Sequence, residues 1–345
     1  MLLTQQQGED EISSLVERIL LSFKEPFQLG GQEYIVALSI GIARYPKGGK
    51  TVEELFKSAD VAMYEAKKFG GNSYKFYNKC MESDTIAKME LVNHLRQAME
   101  RNELLLHYQP QVNCQTGQII GLEALLRWDH STKGNIPPSA FIPLAEEMGI
   151  IIPIGDWVMR QACTQLKAWH DAGLPKIKVA VNLSVKQFQD EKLLEKVQMI
   201  LHETKLDSQY LELEITENIG MKDEELGILG ELRQLGVSIS VDDFGMNYSS
   251  LSYLKRFPVT KIKLDQSFVR GIETDEKDRA MIKTMIFLAQ SFGLEIIAEG
   301  VETLKEAQYL LENGCAQIQG YYFYRPMEVD RIAEIFHNQI KLKLS

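Results

Sequence analysis

Beyond residue 80, apolar β-rich runs alternate with segments of helical spacing, and this rhythm constrains the fold more than any other feature of the chain. Lys178–Ser184, Tyr210–Thr216, Val237–Asp243, Thr260–Asp265, Leu294–Glu299 and Ala316–Phe323 read as strands. Between them, Lys192–Glu203, Asp223–Leu235, Asp278–Phe292 and Glu302–Glu312 carry Leu, Ile and Met at helical intervals. Strand, helix, strand over about 260 residues predicts an α/β fold with a parallel sheet covered by helices. With a further strand ending near Glu123, the count reaches at least seven, which fits a closed (β/α)8 barrel. An open doubly wound sheet is the alternative, but no GxGxxG opens a helix after the first strand.

The strands end in unusual residues. In chain order they finish near Glu123, Asn182, Glu214, Asp242–Asp243, Lys263, Glu299 and Gln319. In a barrel those ends converge on one face, where enzymatic sites of this architecture are built. A single polar strand end is ordinary scaffolding, but five carboxylates, two amides and a lysine at corresponding places are costly to bury unless paired or metal-bound. Carboxylates packed together need divalent cations to stay ionised. The donors are all oxygens, with no His or Cys among them, which favours Mg²⁺ or Mn²⁺ over Zn²⁺. Adjacent Asp242 and Asp243 would let one carboxylate bridge two ions, the arrangement used for in-line attack on phosphate esters. Lys263 would orient or help activate a water, and Arg127, four residues after Glu123, would hold a phosphate through its planar fork.

Composition narrows the partners. The 345 residues include 38 basic and 48 acidic side chains, a net charge of −10. That balance argues against duplex nucleic acid, which needs a basic face, but not against one small anion held through metal ions. No run of 18 apolar residues occurs, and Glu9, Asp10 and Glu11 stand where a signal peptide would be basic and then apolar. The four cysteines, Cys80, Cys114, Cys163 and Cys315, form no CxxC pair and read as reduced, buried thiols of a cytoplasmic chain, which a longer, membrane-attached parent would also accommodate. The six histidines show neither HxxH nor HExxH spacing. Residues 1–79 hold ten basic and ten acidic side chains, so the whole negative charge lies beyond them, and a domain boundary is expected near residue 80. Ile86, Met89, Val92, Leu95 and Met99 then predict a connecting helix over 80–101.

The segments YQP (Tyr108–Pro110), EALLRW (Glu123–Trp128), FIPLAEE (Phe141–Glu147), VNLS (Val181–Ser184), ELEITE (Glu212–Glu217), DDFG (Asp242–Gly245), KIKLD (Lys261–Asp265), AEGVE (Ala298–Glu302) and QGYYF (Gln319–Phe323) resemble the EAL family over residues 85–340. That resemblance implies a TIM-like barrel with one reversed strand and two-metal hydrolysis of cyclic di-GMP to linear pGpG. By matching motif it implies Glu123, Asn182, Glu214, Asp242 and Asp243 as metal ligands, with Lys263 and Glu299 as catalytic groups. Gln109, Arg127, Glu302 and Gln319 would contact substrate, Glu217 would prop the loop after the paired aspartates, and the barrel would form a homodimer. One departure stands out. The family usually reads DFGTGYSSL, whereas Met246 and Asn247 replace the threonine and glycine here, so a weakened enzyme or a cyclic di-GMP-binding receptor is the alternative.

Residues 1–79 resemble the closing half of a GGDEF domain, through SIGIARYPKGG (Ser39–Gly49) and ADVAMYEAKKFGGNSYKFY (Ala59–Tyr77). The signature turn and its acidic pair are absent, so no cyclase activity is expected, and an upstream sensor domain stays open. Gly70–Gly71 read as a helix C-cap rather than a phosphate loop. In the QGYYF segment, Tyr321 to Tyr324 read either as core aromatics or as a guanine-stacking surface.

Overall fold

The computed structural model describes residues 3, 8–23, 27–29, 32–34, 37–68, 72–217, 219, 223–245 and 256–337. The chain divides into two compact units, Met1–His94 and Leu95–Ser345.

The first unit begins with α1 (Glu9–Ser22), followed by the antiparallel pair β1 (Phe27–Leu29) and β2 (Gln32–Tyr34). Next come β3 (Ser39–Ile42), α2 (Val52–Lys68) and β4 (Ser73–Phe76), with β3 and β4 parallel and joined across α2. Gly41 lets β3 lie directly on α2: a Cβ there would sit 1.9 Å from the Ala59 carbonyl oxygen. The segment read as a connecting helix is occupied by α3 (Lys79–Ala98), and the junction between the units falls inside it. Gly70 and Gly71 lie outside the described residues.

The second unit contains, in order, β5 (Leu104–Asn113), β6 (Gln118–His130), β7 (Gly134–Ile136), α4 (Pro138–Glu147), α5 (Ile151–Asp171), β8 (Lys178–Asn182), α6 (Val185–Phe188), α7 (Leu193–Thr204) and β9 (Leu211–Thr216). It continues with α8 (Asp223–Gln234), β10 (Ser238–Phe244), β11 (Lys261–Leu264), α9 (Gln266–Arg270), α10 (Glu276–Ser291), β12 (Glu295–Ala298), α11 (Leu304–Glu312), β13 (Gln317–Ile318) and α12 (Val329–His337). The sheet runs β5-β13-β12-β11-β10-β9-β8-β6, and the β5–β6 pairing closes it into an eight-stranded barrel, with β7 appended to β6. All barrel neighbours are parallel except those of β5, which is antiparallel to both β6 and β13. The expected α/β barrel with one reversed strand is therefore the fold.

Two strand expectations need correction. Glu123 does not end its strand. β6 runs on to His130, pairing with β8 only as far as Ala124 and with β5 and β7 beyond. The run Ala316–Phe323 shortens to Gln317–Ile318, because Gly320 turns the chain onto the 301 backbone, where a Cβ would meet the Val301 oxygen at 2.1 Å. Helix formation follows local chemistry where caps are present: Ser184 and Thr303 each make a reciprocal capping box, with Gln187 and Glu306. The barrel wall is sealed by large side chains, with Trp128 edge-on to Phe141 at 5.4 Å and Tyr108 edge-on to Trp169 at 5.0 Å. Cys114, Cys163 and Cys315 are buried free thiols. Among the described residues, no helix is long and apolar enough to cross a membrane.

Candidate active site

Strand alternation decides which side chains enter the barrel. Glu212 and Glu214 share one face of β9, Ser238, Ser240 and Asp242 one face of β10, and Lys261 and Lys263 one face of β11. At the C-terminal end, Lys263 Nζ lies 2.6 Å from Glu214 Oε2, 2.6 Å from Glu299 Oε1, 3.2 Å from Asp242 Oδ1 and 3.9 Å from Glu123 Oε2. Lys263 and Glu214 are each 1% exposed, so these charges meet in a medium that screens them weakly.

Glu123 is held by amides. Its Oε1 accepts from Asn182 Nδ2 at 2.8 Å and its Oε2 from Gln319 Nε2. Burial would raise its pKa, but Lys263 and the two amide donors outweigh that and hold the carboxyl below its ordinary value. The amides form a chain: Gln111 Nε2 donates to Gln319 Oε1 at 3.0 Å, Gln319 Nε2 also reaches Gln109 Oε1 at 3.2 Å, and Gln109 donates to the Tyr324 carbonyl at 3.0 Å.

Glu214 and Glu299 are pushed the other way. Burial raises Glu214 well above its ordinary value, with Glu123 adding to the effect and Lys263 opposing it. Burial likewise takes Glu299 up to about 8, against the pull of Lys263. Lys263 itself is raised well above its usual value, because the surrounding carboxylates overcome the cost of burying it.

Adjacent residues of a regular strand point to opposite faces, so Asp242 and Asp243 need a distortion to serve one site. They have one. The β10–β11 register shifts between Val241 and Phe244, and Asp243 takes the left-handed conformation at φ 52°. A β-bulge of this kind re-aims side chains beside functional sites. Asp242 thereby meets Lys263, while Asp243 shares a hydrogen bond with Asp265 and is raised to about 6 by burial and by the charges of Asp242 and Asp265.

Arg127 is half-buried on β6; burial lowers its pKa, and the nearby Glu123 carboxylate opposes that. Glu302 stands apart from the Lys263 cluster, exposed and 3.7 Å from Arg270. Glu217 is 5% exposed just beyond β9. Met246 and Asn247 lie outside the described residues. The aromatic run splits: Tyr324 and Phe323 pack with Val112 and Ile335, whereas Tyr321 is half exposed with Arg325 4.3 Å over its ring. Sequence reasoning missed Gln111, Asp265 and the buried Glu212–Lys261 pair, joined at 2.7 Å. The signal was present in the i, i+2 spacing of Gln109 with Gln111, Glu212 with Glu214, and Lys261 with Lys263.

A divalent cation fits the chemistry of these residues. Four carboxyls surround one ammonium, every other donor is an amide or carboxyl oxygen, and buried Glu214 Oε1 has no hydrogen-bond partner. Among the described residues, however, no three His, Cys, Asp or Glu side chains already converge as a metal-binding group.

Residues 92–326 match the EAL domain and residues 1–73 the diguanylate cyclase GGDEF domain. The chain belongs to the EAL family. It is 41% identical over 334 residues to the bifunctional diguanylate cyclase/cyclic di-GMP phosphodiesterase MucR of Pseudomonas aeruginosa, covering 96% of this chain and 49% of that protein. It is 38% identical over 328 residues to the cyclic di-GMP phosphodiesterase NbdA of the same species, covering 94% and 42%. The chain thus spans about half the length, or less, of these curated relatives. Among solved structures, the MucR phosphodiesterase in complex with c-di-GMP is 43% identical with a TM-score of 0.69, over 70% of this chain and 99% of that one.

Proposed function

We propose that this chain hydrolyses cyclic di-GMP to linear pGpG with two Mg²⁺ or Mn²⁺ ions. The observation that carries the reading is Lys263 enclosed by Glu214, Glu299, Asp242 and Glu123 at the C-terminal mouth of an EAL barrel. Relatives named as cyclic di-GMP phosphodiesterases, and the c-di-GMP complex of MucR, supply the substrate.

Glu123, Asn182, Glu214, Asp242 and Asp243 would hold the ions, which when bound supply Lewis acidity and charge neutralisation at the attacked phosphate. The protein's own groups do the rest. Lys263 Nζ, pinned between Glu214 and Glu299, orients the attacking water and offsets the negative cluster. Glu299 accepts or returns a proton beside Lys263 Nζ. Arg127 clamps a phosphate with its planar guanidinium, and Gln109 and Gln319 position substrate from the amide chain that also fixes Glu123. The barrel would act as a homodimer.

A second reading, a receptor that binds cyclic di-GMP with little or no turnover, is favoured by Met246 and Asn247 in the sequence after the paired aspartates. Turnover with Mg²⁺ or Mn²⁺, measured beside cyclic di-GMP binding in chelator, separates the two. Metal-dependent pGpG release supports the enzyme; binding without release supports the receptor.

A further inference from the structure

The lysines that enter the barrel from β11 both reach past the adjacent β10, although Lys263 also lies 3.2 Å from Asp242 on that strand. Lys263 bonds Glu214 and Lys261 bonds Glu212, both on β9, with β10 lying between. Two strand spacings separate β9 from β11, roughly 10 Å, so each side chain must cross the inner face of β10. The crossing is also diagonal. Ser240 is level with Glu214 on one side and with Lys261 on the other, and Ser238 is level with Glu212. Lys261 therefore reaches one step down, to the carboxyl beside Ser238, and Lys263, the next inward residue of β11, ends on the carboxyl beside Ser240. Both serines are buried, Ser240 completely, and Ser240 Oγ has no hydrogen-bond partner. A buried hydroxyl that bonds nothing contributes little but its small size.

We infer that Ser240 is a positioning residue: its small side chain leaves the passage through which the Lys263 ammonium reaches Glu214. The inference rests on the proposed hydrolytic role of Lys263, because only then does the path of that side chain affect rate. A β-branched residue at 240 would fill the passage and lift the ammonium away from Glu214. Interior packing is dense enough that one or two added carbons force such a shift. A displacement of about 1 Å at a group that orients a nucleophile can cost on the order of a hundredfold.

The test compares Ser240→Val, Ser240→Ala and Ser238→Val in the full chain, using cyclic di-GMP with Mn²⁺ and a metal-free crystal structure of each. Ser240→Val should lower kcat roughly ten- to a hundredfold with KM within about threefold, and its Lys263 Nζ should lie beyond hydrogen-bond reach of Glu214. Ser240→Ala, which keeps the volume small, should hold kcat within about threefold of the parent. Ser238→Val, an equal intrusion beneath the Glu212–Lys261 pair, should do the same. The inference fails if Ser240→Val keeps parental kcat with Lys263 still on Glu214. It also fails if Ser240→Ala loses as much as valine, since the hydroxyl would then matter, or if Ser238→Val does, since any core intrusion would then suffice. Should Ser240→Val not fold, Ser240→Thr carries the same comparison. If the parent chain turns over no cyclic di-GMP, the proposed function falls, and the Lys263–Glu214 separation in the Ser240→Val crystal still decides the role of Ser240.

Discussion

Lys263 Nζ and Glu214 Oε2 lie 2.6 Å apart inside the barrel, yet Glu214 Oε1 is left without a partner. The pair is therefore half a site. Lysine neutralises one carboxylate, and three more press on the same ammonium. Positive charge from elsewhere is what such a cluster lacks.

Removing a carboxyl from the cluster should abolish turnover rather than weaken substrate binding. Glu123→Ala or Asp242→Ala should lower activity by at least ~10²-fold if the cations supply several kcal/mol of transition-state stabilisation. Calcium, larger and looser in geometry, should replace Mg²⁺ or Mn²⁺ poorly. Metal-titrated rates of folded variants check this, and near-parental rates would sink the assigned ligand set.

Without metal, stability should fall as pH rises. The Glu299 carboxyl is shifted from 4.5 to about 8 in the folded chain. Below pH 4.5 both folded and unfolded states hold the proton; between 4.5 and 8 only the unfolded state releases it, so folding loses ground until about pH 8. Glu214 is raised too and acts in the same direction. In chelator the melting temperature should drop from pH 5 to pH 8 by on the order of 5 °C. Mg²⁺ should recover more of it at pH 8 than at pH 5, and Glu299→Gln should flatten the curve. A flat parental curve would contradict the assignment.

Lys263→Met leaves Glu123, Glu214, Asp242 and Glu299 facing one another without the ammonium. Loss of one partner from a buried ion pair costs roughly 3–5 kcal/mol. Urea unfolding in chelator should register a loss of that size at neutral pH, and an unchanged midpoint would contradict the role of the ammonium.

Incubated with GTP and Mg²⁺, the chain should make no cyclic di-GMP, because residues 1–79 lack the GGDEF signature turn. Deleting those residues should leave phosphodiesterase activity in place, since every residue assigned to the site lies beyond position 100. Cyclase product, or collapse of the barrel in the deletion, would count against this division of labour.

The sequence after Asp243 offers a gain-of-function test. Met246→Thr combined with Asn247→Gly should raise kcat or tighten metal binding, because metal ligands must be held within roughly half an ångström. Substrate binding in chelator should change less, as Arg127 and Gln109 come from other strands. Identical metal titrations of parent and double variant would mark the two substitutions as neutral.

The alternation of strand and helix determined the barrel, and the polar residues ending each apolar run determined which end of it carries chemistry. Both are local patterns: periodicity fixes which face a side chain takes, and a charge after Val, Ile and Leu is conspicuous wherever it occurs. Tertiary structure decided what locality cannot hold. Glu123 faces the mouth although its strand runs on to His130, because β6 leaves β8 after Ala124 and continues as a hairpin arm. Asp242 and Asp243 part company, one toward Lys263 and one toward Asp265, because a bulge breaks a period that a sequence pattern assumes to be regular. Glu302 matches a motif at the site yet turns outward to Arg270. The choice of carboxylate by each lysine depends on strand register and on the width of β10, and these exist only once the chain has closed across the 49-position separation of Glu214 and Lys263.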